Sequence, residues 1–321
     1  MKNKYQTKND ISFIIPAYNC ADTITESVES IFNNNFSTRD EVIIVDDAST
    51  DNTLKIIKGL QKKYTVIRIF RHHYNKGSAA AGRNTGIDNS KNDLIFCLDA
   101  DNVLYPGSIP KLKQFFLSKN ADVAAFGELH YFKDNIQNVT HKWIYKGKIM
   151  LYDGINNTTT TPCSSGNYLF TKTSWLKAGR YNESFAIIAY DSLAFGLCQL
   201  IAGSKMVTMP NSFYYHRYGY ESTFVRESRK VNSSLTLLQI ILPYINLFDE
   251  RDIDYIMGKK GRYIWFNNLG KHPLRLNKKQ KAKKDSMVVF LNIKNGIKKL
   301  RFFNNLKFLK NFYDKWHKKN Y

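Results

Sequence analysis

A chain of 321 residues with 43% hydrophobic and 23% charged residues reads as a folded, soluble protein with room for two structural units. Its four cysteines, Cys20, Cys97, Cys163 and Cys198, lie far apart without a CxxC pair, which argues against a zinc knuckle or a disulfide framework and fits a reducing compartment. The formal charge of +21 is concentrated at one end: residues 271 to 321 hold 16 Lys and Arg against two acids, Asp285 and Asp314, a surplus of 14.

The amino terminus, MKNKYQTKND, is polar, and the first apolar run, Ile11 to Ile15, is cut short at Pro16. Neither a secretory signal nor a membrane span is expected there, and a cytoplasmic location is. Strands are predicted at Ile11 to Ala17, Glu41 to Val45, Thr65 to Phe70, Leu94 to Leu98 and Asp122 to Phe126, with helix-length segments between them. This βαβα rhythm predicts an α/β fold with a doubly wound, Rossmann-like, mostly parallel sheet flanked by helices. Asp22 and Asp51 are placed to cap helices running from Thr23 to Phe32 and from Thr53 to Lys62.

In such sheets ligands bind beyond the carboxyl ends of the strands. The residues there are unusual as a set: Pro16, Ala17, Tyr18 and Asn19 after the first strand, Asp46 and Asp47 after the second, and Asp99, Ala100 and Asp101 after the fourth. The third strand leads into NKGSAAAGRNTG, in which small residues are flanked by Lys76 and Arg83. In an extended chain Asp99 and Asp101 would point to the same side, and such a pair repels itself unless a cation sits between. A metal ion or a lysine would meet that need.

Beyond an irregular stretch from Leu129 to Thr161, whose NNTTTT run reads as a loop, come Cys163 to Phe170, helical Ser174 to Ala178 and Tyr190 to Ile201. Two short strands follow, at Lys205 to Met209 and Phe213 to Arg217. The remainder is helical and basic in pattern, so the domains are set at 1–224 and 225–321. Ser233 to Phe248 is too short and too interrupted for a membrane span and reads as a buried helix hairpin.

FIIPAYN, EVIIVDDASTDNT, NKGSAAAGRNTGI and LDADN, in this order and at these spacings, resemble the nucleotide-sugar-binding half of the family 2 glycosyltransferases with the GT-A fold. The likeness covers residues 10 to 222. It implies an inverting enzyme that moves a sugar from a nucleotide diphosphate sugar, a UDP-sugar favoured, to a glycan or lipid-linked envelope acceptor. By that resemblance Asp47 and the backbone around Pro16 to Tyr18 cradle the base, with Asn19 beside them in the nucleotide-sugar site; Asp99 reaches the ribose, and Asp101, together with Asp99, holds a divalent metal, Mn²⁺ or Mg²⁺. Hard carboxylate oxygens suit such ions, which bridge the two phosphates and retain waters. Lys76 and Arg83 are candidates to neutralise phosphate or to pair with Asp99. The base that takes the acceptor's proton aligns with Asp191, although Tyr190 stands where the family has Glu; Asp191 is also a natural helix cap. Gly166 and Asn167 are placed on the donor-sugar or acceptor side. His216 reads as a packed strand residue before a third metal ligand.

Two other readings compete. A nucleic-acid-binding protein would account for the charge and leave the acidic sheet edge unexplained, which makes nucleic acid an unfavoured partner. A sugar nucleotidyltransferase shares the architecture, yet the turn after the first strand is Pro16-Ala17-Tyr18-Asn19 and not the Gly-rich, Arg-containing loop of that group. The tail of residues 271 to 321 interleaves Phe302, Phe303, Phe308, Phe312 and Trp316 with lysines, so contact with an anionic inner membrane face, and a peripheral location there, is expected. The helical carboxyl-terminal region offers a homo-oligomer contact equally well.

Overall fold

A computed structural model describes residues 10–149, 161–183 and 190–219. All of them fall within Met1–Ile241, the first of the chain's two units. The predicted domain boundary at residue 224, the Ser233 to Phe248 run, most of NNTTTT and the basic tail lie outside the described residues.

Among the described residues, ten strands form one sheet. In chain order they are β1 (Ile11–Ala17), β2 (Glu41–Asp46), β3 (Ile67–Arg71), β4 (Leu94–Cys97), β5 (Val103–Leu104), β6 (Val123–Phe132), β7 (His141–Ile144), β8 (Lys148–Ile149), β9 (Leu169–Thr171) and β10 (Met206–Arg217). The strand order is β3-β2-β1-β4-β9-β6-β10-β5, with β7 alongside β6 and β8 alongside β10. The β3-β2-β1-β4 block is parallel throughout; β2 and β4, buried along their whole length, read as nearly continuous apolar runs, whereas β3, IRIFR, alternates and is only partly buried at the end of the sheet. β9 is the exception at the centre: it pairs antiparallel with β4 on one side and β6 on the other.

Six α-helices are described: α1 (Ile24–Phe32), α2 (Thr53–Lys63), α3 (Ala79–Asp88), α4 (Ser108–Ser118), α5 (Lys172–Lys177) and α6 (Asp191–Ile201). Alternation along β1 divides its side chains between the faces. Ile11, Phe13 and Ile15 join Ile24, Val28 and Ile31 of α1 and Ile109, Leu112 and Phe116 of α4 in one buried cluster. Ile14 points the other way, toward α3. There α3 lies so close that a Cβ built on Gly82 would stand 3.0 Å from Pro16 Cβ, and one on Gly86 would overlap Ile14 Cγ2. The run of small residues in this helix is what brings its backbone onto the sheet.

Several local expectations are corrected. Asp22 does not cap α1: the Cys20 carbonyl accepts from the Thr23 and Ile24 N–H groups, so a backbone turn does the work. Asp51 does serve α2, its Oδ1 accepting from Thr53 N at 2.9 Å while its Oδ2 accepts from Ala21 N. The two short strands at Lys205 to Met209 and Phe213 to Arg217 are one strand, β10, whose register on β6 shifts between Met209 and Phe213. Pro210 and the positive φ of 53° at Asn211 mark that bulge. β6 runs on to Phe132 instead of ending at Phe126. All four cysteines are free. Among the described residues, no helix is long and apolar enough to cross a membrane.

Candidate active site

The carboxyl ends of β1 and β2 form one half of the site. Asp46 is fully buried, pairing with Arg71 Nε at 3.0 Å and accepting from Ser49 N, which makes it a structural acid of the turn. Asp47 accepts from Lys76 N with both oxygens at 3.0 Å and lies 2.6 Å from His72 Nδ1. A carboxylate only accepts, so Nδ1 carries the shared proton, and Nε2 faces Thr85 Oγ1 at 2.9 Å. Asp47 thus ties the loop after β3 to the end of β2. Tyr18 and Asn19 are exposed beside it, Pro16 and Ala17 less so. Asn19 has a φ of 47° and exchanges hydrogen bonds with Ser49 and Thr50, joining the two loops. Lys76 is exposed, with Nζ 2.8 Å from Tyr74 Oη.

β4 ends at Cys97, so Asp99-Ala100-Asp101 lies in a turn closed by Asn102 N donating to Asp99 O at 3.1 Å. The extended-strand argument for a same-side carboxylate pair therefore does not apply. Asp99 meets nitrogen donors instead. Its Oδ1 accepts from Arg83 Nη2 at 2.6 Å, and its Oδ2 from Asn167 Nδ2 at 2.9 Å and, more weakly, Asn102 Nδ2 at 3.4 Å. Asn167 Oδ1 in return accepts from Asp99 N. Asp101 is half-buried, and its carbonyl accepts from Arg217 Nε at 3.1 Å.

Arg83 brings the third acid in. Its Nη1 donates to Asp191 Oδ2 at 2.8 Å, and Asp191 Oδ1 accepts from Ser192 N. Burial opposes the charge on Arg83, but the Asp191 and then the Asp99 carboxylates outweigh it and hold the guanidinium protonated. Asp191 is the first residue of α6, Tyr190 taking the cap position. Gly166 has a φ of 70°, and a Cβ there would stand 2.5 Å from Ser192 Oγ and 3.3 Å from Arg83 Nη2. Only glycine allows the chain to pass this close to the cluster.

The structure thus brings Asp99, Asp191, Arg83, Gly166 and Asn167 into direct proximity, with Asp101 two residues along the same turn. Asp47, Lys76 and Pro16 to Asn19 line the edge at β1 and β2. Sequence reading missed His72, which follows a predicted strand on the same edge, and the role of Arg217 and Asn102 in holding the acidic turn. His216 is partly exposed, but its Nδ1 is shut from solvent without a hydrogen-bond partner, and burial pulls its pKa down to about 4 against the nearby Asp99 charge. Among the described residues no three His, Cys, Asp or Glu are grouped to hold a metal ion. The donors suit an ion shared with a ligand's phosphates more than a cage built wholly by the protein.

The family model for glycosyl transferase family 2 matches residues 12–175. The poly(ribitol-phosphate) beta-glucosyltransferase of Bacillus spizizenii is 37% identical over 110 residues, 34% of this chain and 17% of that protein. The chain spans well under half the length of the curated relatives it matches. Among solved structures, S. aureus TarS 1–349 in complex with UDP-GlcNAc superposes with a TM-score of 0.61 at 18% identity, covering 84% of this chain and 78% of that one. A mannosyltransferase from Pyrobaculum calidifontis in complex with GDP-Man and Mn²⁺ gives 0.54 at 17% identity, over 77% and 67%. These two likenesses show the fold.

Proposed function

The chain belongs to glycosyl transferase family 2, and from that premise we propose that it transfers a hexosyl or N-acetylhexosaminyl group from a nucleotide diphosphate sugar to a hydroxyl of a glycan or lipid-linked acceptor. A UDP-sugar is the favoured donor, in line with the UDP-GlcNAc held by the TarS structure. The observation that carries the reading is the cluster of Asp99, Arg83 and Asp191 at the ligand edge of a parallel sheet, beside the loop acid Asp47.

In this reading the base lies along Pro16 to Asn19 near Asp47, and Asp99 and Asp101 face the sugar nucleotide's ribose and phosphates. Asp101 is the carboxylate that would hold a divalent metal. When bound, Mn²⁺ or Mg²⁺ supplies charge neutralisation of the departing diphosphate. Asp191 takes the acceptor hydroxyl's proton while the oxygen bonds to the anomeric carbon and the diphosphate leaves with the electron pair, which inverts that carbon. The side chain of Asp191 keeps 9% of its surface open, enough for one oxygen to meet a hydroxyl. The basic tail of residues 271 to 321 would hold the enzyme at an anionic membrane face where a lipid-linked acceptor is presented.

The test is a thermal-shift panel of UDP, GDP and their sugars with and without Mn²⁺, on the full chain and on Asp101→Ala. A ligand at 100 times its Kd stabilises by about 2.7 kcal/mol. UDP with Mn²⁺ should raise Tm by several degrees in the parent, and Asp101→Ala should lose the metal-dependent part. Flat melting curves across the whole panel would rule the donor assignment out.

A further inference from the structure

Arg83 is a buried cation with two acidic partners. Its side chain is 3% exposed, and its two terminal nitrogens each meet a carboxylate from a different part of the chain, Asp191 at the head of α6 and Asp99 after β4. Each carboxylate gives one oxygen to Arg83 and the other to a neutral donor, Ser192 N for Asp191 and the Asn167 amide for Asp99. Tyr181, whose ring centroid is 5.3 Å from Arg83 Cζ, and the Gly166 backbone flank the guanidinium, and Arg83 Nε is buried without a hydrogen-bond partner.

Three physical consequences follow from this placement. A guanidinium is planar and rigid, so two oxygens bonded to its two arms are fixed in position relative to each other as well as to the arginine. Two carboxylates this close to one another repel at low dielectric, so the cation is what lets both remain ionised side by side. Finally, the Arg83 side chain is 3% exposed, so the buried fork does not serve as an open phosphate site.

We propose that Arg83 is a positioning residue that makes Asp99 and Asp191 a single working unit, setting the group that accepts the acceptor's proton against the group that faces the donor. The proposal rests on the transfer reading above for what the two acids do. Lysine cannot substitute, because a point charge on a flexible stem does not hold two carboxylates in one plane.

The experiment is a double-mutant cycle in the full chain: Asp99→Asn, Asp191→Asn and the pair together, in the parent and again with Arg83→Lys. Each is read twice, as kcat/KM for transfer and as the urea midpoint. Residues that share a partner do not act additively. In the parent, the paired variant should therefore retain about ten-fold more activity than the product of the two single losses. With Arg83→Lys the losses should multiply. A purely structural ion pair would couple the urea midpoints and leave the transfer losses multiplicative, and that result overturns the proposal. Arg83→Met, close in volume and uncharged, replaces the lysine variant where the latter does not fold. If the parent transfers no sugar from any donor, the transfer reading falls. The midpoints then still decide whether Arg83 links the two acids, additive midpoints overturning the link.

Discussion

Gly86→Ala adds one methyl group, and where that methyl goes decides the sign of its effect. In an open helix interior the change stabilises by about 0.5–1 kcal/mol. At Gly86 the new Cβ would lie under 3.0 Å from Ile14 Cγ2, with Ile14 Cδ1 at 3.4 Å. Ile14 is fully buried on β1 between β2 and β4, its register neighbours being Ile43 and Cys97, so it has nowhere to withdraw. Overpacking of this kind costs about 1–3 kcal/mol. Set against the helix preference, the net is a loss of up to about 2.5 kcal/mol, or up to roughly 10 °C in Tm for a domain of this size. Gly59→Ala, on α2 with nothing within 4 Å of the added Cβ, is the matched control and should gain about 1–4 °C. Scanning calorimetry of both variants is the assay. Transfer activity should fall only for Gly86→Ala, because α3 carries Arg83 and a small misplacement of reacting groups is costly. If Gly86→Ala raised Tm as much as Gly59→Ala does, the close seating of α3 on the sheet would be refuted, and with it the account of how Arg83 reaches Asp99.

Asp191→Asn should lower kcat for transfer by roughly 10²–10⁴ while calorimetric affinity for the donor changes little; unchanged turnover would remove Asp191 from the chemistry. His216 gives a pH dependence with a definite sign. Its folded pKa, about 4, lies below the ordinary imidazole value of about 6.5, so the unfolded chain takes up a proton that the folded chain refuses between those values. The stability it contributes is complete above pH 6.5 and is lost as pH falls toward 4, by roughly 1–2 kcal/mol between pH 7 and 5. Urea midpoints of the metal-free protein should show that slope, and His216→Gln should flatten it; equal slopes would mean that the imidazole is not held neutral by burial.

The parallel half of the sheet was legible because strands covered on both faces leave uninterrupted apolar runs, as in Glu41 to Val45 and Leu94 to Leu98. The acids after them were legible as a set because ligands gather at that edge. What failed were statements that depend on local backbone geometry. The helix cap assigned to Asp22 belongs to the Cys20 carbonyl, which no side-chain pattern announces. The Asp99 and Asp101 pair was read as pleated strand, whereas the chain has already turned at Ala100. Two short strands were expected at Lys205 to Met209 and Phe213 to Arg217, but a bulge at Pro210 absorbs the missing N–H and β10 continues on β6. The pairing of Arg83 with Asp99 was one of two roles open to it; its second partner, Asp191, is 108 residues away, a distance over which no periodicity speaks.

The reversal of β9 decides how the two sides of the cleft can diverge. Running against β4, it delivers its leading residues, Gly166 and Asn167, to the same rim that the other strands reach with their trailing ends. Sequence change ahead of β9 can therefore remodel what approaches Asp99 without shifting the ladder of β1, β2 and β4. A segment grafted there would change the surroundings of Asp99 and leave the parallel strands in register.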